Sequence, residues 1–159
     1  MAPSAHLLRT LAAVPTAARV VDVACGAGRH LRPLAQLGFD VWGSAADATS
    51  VAAARAAISD VLGAEAAARR VTPAAPDALG YPDGWADWAV VAGVPLDRLS
   101  GVFAEAARVL RPGAWIWAEA ADADALASAA HAAGLADAEA PGESGGLVHA
   151  VFRTPGGVG

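Results

Sequence analysis

VVDVACGAGRH, residues 20–30, is a hydrophobic run that breaks into a glycine turn. When a strand feeds a helix through glycines, the backbone approaches a ligand closely, and the helix N-terminus offers free N–H groups and a partial positive charge. That is general nucleotide-binding chemistry. Asp22, at the end of the run, is placed to offer a carboxylate to loop N–H groups or to a ligand's ammonium. A dinucleotide site needs a third glycine soon after the second, so that the helix packs tightly on the strand. Here Arg29, His30 and Leu31 follow, with no glycine before Gly38. The spacing argues against a nicotinamide or flavin.

The segment Asp22-Val23-Ala24-Cys25-Gly26-Ala27-Gly28 resembles the acid-x-Gly-x-Gly-x-Gly loop of the class I S-adenosylmethionine-dependent methyltransferases, with Ala24 in place of the first glycine. The resemblance continues in register over residues 18–121. GFDVWGSAADATSVAAAR resembles the family's second strand and helix, YPDGWADWAVVA the approach to its fourth strand, and EAARVLRPGAWIWAEA the turn into its fifth. It implies S-adenosylmethionine as cofactor, with Gly26, Ala27 and Gly28 leaving room for the methionine portion beside the main chain. Asp22 would serve the ammonium, directly or through water, and Gly93, after the fourth strand, would face the same site.

In that family an acid at the end of the second strand binds the ribose hydroxyls. Aligning Gly43 with the family's glycine puts Ala45 in its place, so the acid is missing, and Ser44 offers one weaker hydrogen bond. Asp47 has two readings, a helix N-cap or a carboxylate reaching back to the ribose. Asp77 falls where the family often has an acid near the adenine, and a solvated loop aspartate is the alternative.

Methyl transfer from a sulfonium needs an aligned nucleophile and exclusion of water, with a general base optional and no metal required. No catalytic residue is assigned. The loops Gly93-Val94-Pro95-Leu96-Asp97 and Glu119-Ala120-Ala121-Asp122 follow the fourth and fifth strands and are expected to face the acceptor. Glu119, Asp97, Asp122 and His30 are acid–base candidates, each read more simply as a cap, a solvated side chain or a helix-end residue. Trp115 and Trp117 share one face of the fifth strand, and Trp85 and Trp88 flank the fourth. Packing against helices is the reading preferred over an aromatic substrate wall. Cys25 reads as a small buried filler.

The elements that must position these residues alternate in a βαβ rhythm. Strands are expected at 20–24, 39–44, 68–72, 88–92 and 114–118, with helices at 4–13, 29–37, from 49 through 62, at 97–110 and at 122–133. LADAE and LVHAVFR, joined by PGESGG, suggest a terminal antiparallel pair. The expected class is α/β, a Rossmann-like doubly wound, mostly parallel sheet. It forms a single domain over 1–154 with a flexible tail at 155–159.

All eleven basic residues are arginine and the formal net charge is -5, which disfavours a nucleic acid partner. One cysteine and four scattered histidines suggest no structural metal, and no apolar stretch is long enough for a membrane span. A cytoplasmic location is expected. The first reading is a methyltransferase acting on a small molecule. The alternative is a degenerate member with weak or no cofactor binding that serves as an interaction or regulatory subunit, and a homodimer or protein partner stays open.

Overall fold

In a computed structural model that describes residues 2–156, the chain forms one seven-stranded sheet with helices on both faces. The elements in order are α1 (Ala5–Ala12), β1 (Arg19–Asp22), α2 (Leu31–Gln36), β2 (Asp40–Ala45), α3 (Ala48–Leu62), α4 (Ala64–Arg70) and β3 (Val71–Pro73). They continue with β4 (Ala86–Val91), α5 (Leu99–Val109), β5 (Leu110–Ala120), α6 (Ala123–Ala132), β6 (Ala136–Ser144) and β7 (Leu147–Arg153). The strand order is β3-β2-β1-β4-β5-β7-β6. The first five strands of that order are parallel, and β7 and β6 complete the sheet as the expected antiparallel pair. The chain reverses its winding between β1 and β4, and the crevice beyond their carboxyl ends is where such sheets bind ligands.

The inner strands read as apolar runs because both of their faces are covered. On one face Leu7 and Leu11 of α1, Leu31 and Leu34 of α2 and Ile58 of α3 pack onto Val41, Val90 and Trp117. On the other, Val102 and Phe103 of α5 and Leu126 of α6 pack onto Val21, Val91, Ile116 and Phe152. The tryptophans serve this packing: Trp117 is fully buried, and Trp88 stacks on Trp115 with ring centroids 5.9 Å apart.

Three expectations need correction. Ala68, Arg69 and Arg70, expected in the third strand, belong to α4, a helix not anticipated. Its alanine-rich sequence carries no strong apolar periodicity, so only Gly63, in the left-handed region at φ 90°, marks the break after α3. In the segment PGESGG only Gly145 and Gly146 turn, because β6 extends through Ser144. Finally, Pro155, expected in a flexible tail, accepts a hydrogen bond from the Gly113 N–H at 2.9 Å. Residues 157–159 of that tail lie outside the described residues.

No helix lies in the connection between β3 and β4. Trp42, Tyr81 and Trp85 cover the sheet there instead, with Tyr81 stacked 4.8 Å from Trp85 and Trp42 edge-on to Trp85 at 5.0 Å. Arg19 lies over Trp85 and Arg70 over Trp42, and Asp40 pairs with both arginines.

Gly43 decides how closely the glycine loop approaches β2. A β-carbon there would stand 2.5 Å from Leu31 Cδ1 and 3.2 Å from Cys25 Sγ, both buried. Gly43→Ala is therefore expected to lower the unfolding free energy by about 1–3 kcal/mol in a urea titration. Unchanged stability would mean that Leu31 and Cys25 yield freely.

Candidate functional site

The turn after β1 is fastened on both sides. Val23 N–H donates to the Val90 carbonyl of β4 at 3.1 Å, Cys25 N–H to the Ser44 carbonyl of β2 at 2.9 Å, and Gly28 N–H closes the turn onto the Cys25 carbonyl at 2.9 Å. Gly26 has φ 52°, and a β-carbon on it would meet nothing within 4 Å, so it faces open space. Gly28, at φ 89°, does not: a β-carbon there would lie 3.3 Å from Ala54 Cα and from Ala57 Cβ of α3. The expected room for a ligand is thus at Gly26, and Gly28 instead permits close helix packing.

This turn borders a cavity of about 380 Å³ over the ends of β1 and β4, lined by Asp22, Ala24, Gly26, Ala27, Arg29 and Gly93, among others. A second cavity of about 240 Å³ shares Ala24, Gly26 and Gly93 with it and continues past Ala45, Asp47 and Arg98. Asp22 is 2 % exposed, and its Oδ1 has no hydrogen-bond partner among the described residues. Burial raises its pKa to about 7, opposed by the Ala24 N–H and the charge of Arg29. An acid held this way lacks only a donor, preferably a positively charged one.

At the far end two of the candidates are engaged by other partners, and for Asp77 this is the alternative reading of an exposed loop aspartate. Ser44 is fully buried, and its hydroxyl is taken by Tyr81 Oη at 2.9 Å and Thr72 Oγ1 at 3.4 Å. It leaves β2 on the opposite face from Ala45, as strand alternation requires, and is no ligand group. Asp77 is exposed and pairs with Arg98 at 3.0 Å, so that Arg98, rather than Asp77, lines the cavity. Ala45 does line it, at the expected end of β2. Asp47 is the N-cap of α3: its Oδ1 accepts from Ser50 N–H at 2.7 Å and its Oδ2 from the Ser50 hydroxyl at 2.8 Å. These bonds hold its carboxyl below the usual range.

Sequence reasoning missed Arg29 and Arg98. Arg29 follows the glycines directly, and its position after the turn is a local signal. Arg98 is far away in the chain, and nothing local marks it. Arg29 donates to Glu119 Oε1 at 2.8 Å and to the Ala2 carbonyl at 3.1 Å. His30 is buried, accepts from Ser4 N–H at 3.2 Å and has its pKa lowered to about 4 by burial and Arg29, so it is a neutral anchor for the N-terminal segment. Asp122 caps α6 through Ala125 N–H. Burial, with Asp22 nearby, pushes the Cys25 thiol up to about 12 and leaves it unreactive.

A sequence model described as a methyltransferase domain matches residues 20–113, more than half of the chain. The chain belongs to the methyltransferase-domain family. S-adenosylmethionine is the cofactor of this methyltransferase, as the motifs imply. No curated protein matches the sequence.

Among solved structures, an S-adenosylmethionine-dependent methyltransferase from Methanosarcina mazei is 14% identical, with a TM-score of 0.73 over 99% of this chain and 100% of that one. A TehB-like methyltransferase from Corynebacterium glutamicum is 21% identical, with a TM-score of 0.71 over 94% and 95%. The (4+2)-cyclase SpnF is 17% identical, with a TM-score of 0.77 over 96% and 81%. At these identities the likeness establishes the fold, and SpnF shows that the fold also hosts a cyclase.

In this methyltransferase the buried Asp22 carboxylate opposes folding. Its pKa of about 7 lies above the ordinary carboxylate value of about 4, so the cost is full above pH 7 and fades as pH falls toward 4. Without cofactor, Asp22→Asn is expected to raise the melting temperature at pH 8, with the gain shrinking at pH 5. An equal gain at both pH values would show that Asp22 carries no such cost.

Proposed function

We propose that the chain methylates a small molecule, with the methionine end of S-adenosylmethionine in the cavity at Asp22 and its adenosine along Ala45 and Arg98. The observation that carries this reading is the unpartnered Oδ1 of Asp22, a buried carboxylate oxygen of a residue that lines the cavity beside an open glycine. Asp22 holds an ammonium, and Arg29, across the same cavity, offers the opposite charge to the neighbouring carboxylate. Gly26 and Gly93 let the backbone lie close to the ligand, while Ala24 and Ala27 complete the wall. Bound there, the cofactor supplies a methyl group activated by its sulfonium. The protein's part is to hold it, exclude water and align the acceptor.

The ribose end is weaker. Ala45 offers no carboxylate, and both oxygens of Asp47 are engaged by Ser50. A hydrogen bond to a charged group contributes about 1.5–3 kcal/mol, so the missing acid costs about one or two powers of ten in affinity. The remaining contacts at Asp22 and Arg29 sustain the site.

Titration with S-adenosylhomocysteine in a calorimeter tests this. Wild type is expected to bind more tightly as pH rises from 6 to 8, because the ionised form of Asp22 holds the ammonium and its pKa is about 7. Asp22→Asn should weaken binding by about tenfold or more, and Ala45→Asp should tighten it by about tenfold. Absence of binding by wild type and Ala45→Asp alike would leave the non-catalytic, partner-binding reading in its place.

A further inference from the structure

Beyond Arg29 lies another cavity, of about 220 Å³, which shares Arg29 and Gly93 with the first. Its volume corresponds to about seven water molecules. Val94, Ala120, Ala121 and Leu147 form apolar walls, and the polar feature is Glu119, 8 % exposed at the end of β5. Its Oε1 accepts from Arg29, the residue that also lines the methionine cavity.

His149 stands directly opposite Glu119 in the β5–β7 ladder, so both side chains leave the sheet on one face. Nδ1 of His149 is buried with no partner among the described residues. The ring stacks on His6 at 3.6 Å, and His6 Nε2 is 2.9 Å from Glu139 Oε1, which is exposed. Glu119 thus faces Arg29 of the loop and His149 of β7, and His149 in turn has His6 and Arg9 of α1 and Glu139 of β6 around it.

Charge accounting gives this arrangement a purpose. With Asp22 ionised, Asp22, Glu119 and Arg29 together carry one excess negative charge, which matches the single positive charge of S-adenosylmethionine with its ammonium, carboxylate and sulfonium. In methyl transfer the positive charge of the sulfonium passes with the methyl group to the acceptor, and a neighbouring carboxylate takes it up as the acceptor's proton.

We propose that Glu119 is the base for the acceptor, and that the acceptor is a small, neutral N–H or O–H nucleophile whose apolar body lies against Val94 and Leu147. This rests on the reading of Asp22 and Arg29 as the holders of the cofactor. As the new methyl–nitrogen or methyl–oxygen bond forms, the methyl–sulfur bond breaks, its electron pair stays on sulfur, and the acceptor's proton passes to the Glu119 carboxylate. The net charge of the site is unchanged through the step.

Isotope-labelled glutamate carboxyls followed by NMR test this without knowledge of the natural acceptor, and Glu119→Gln assigns the signal by deleting it. The Glu119 signal is expected to differ between the S-adenosylhomocysteine and S-adenosylmethionine complexes, because the latter adds a nearby positive charge. Phenol or aniline added to the S-adenosylhomocysteine complex should shift the Glu119 signal, and toluene should not. An identical Glu119 signal in the two complexes, or no response to phenol and aniline, overturns the assignment of Glu119 while leaving cofactor binding intact. Failure of wild type to bind either form of the cofactor removes the cofactor reading and this inference together.

Discussion

The site depends on how near the turn after β1 comes to its neighbours, and that is set by two absent β-carbons. Gly43 lets Leu31 and Cys25 settle onto β2, and Gly28 lets α3 settle onto the turn. With those contacts made, the main chain is tied to β2 through Cys25 N–H and to β4 through Val23 N–H. Asp22 is then carried out of water, with one oxygen unmatched. Removing a charge from water without pairing it is among the costliest arrangements a fold can hold. On the proposed reading a positively charged ligand relieves that cost, which links binding to stability through one carboxylate.

The rest of the molecule makes that arrangement tolerable. The two cores on either face of the sheet are continuous across β1, β4 and β5, which keeps the strand ends in register beneath the cavities. Where the connection from β3 to β4 omits a helix, three aromatic rings capped by Arg19 and Arg70 cover the sheet. At the other side α1 is held by Leu7 and Leu11, by the Trp117 Nε1–H donating to His6 Nδ1 at 2.9 Å and by Ser4 N–H on His30. The Arg29–Glu119 pair then joins the glycine turn to β5, so the walls of the two cavities share one ion pair.

The alternation of strands and helices, the glycine turn and the N-cap role open to Asp47 were legible in the sequence because each is a local pattern: apolar runs, a turn that needs positive φ, a polar residue before a helix. The family match over residues 20–113 runs from β1 to the start of β5. What failed was equally local in cause. The helix Ala64–Arg70 has few large apolar residues to set a period, so its last residues read as strand. Ser44 and Ala45 are adjacent in sequence and point to opposite faces, so one lines a cavity while the other bonds to Tyr81.

By itself the sequence determined the α/β architecture and the place of the glycine turn, since backbone preference and hydrophobic period are properties of neighbours along the chain, and its motifs carried the resemblance to the family. Only the tertiary structure decided which charges meet. Arg29 with Glu119, Arg98 with Asp77 and His6 with His149 are separated by tens of residues or more and become partners through strand order alone. The unmatched oxygen of Asp22 belongs to the same class, because desolvation depends on everything packed around an atom and is not written in any one stretch of the chain.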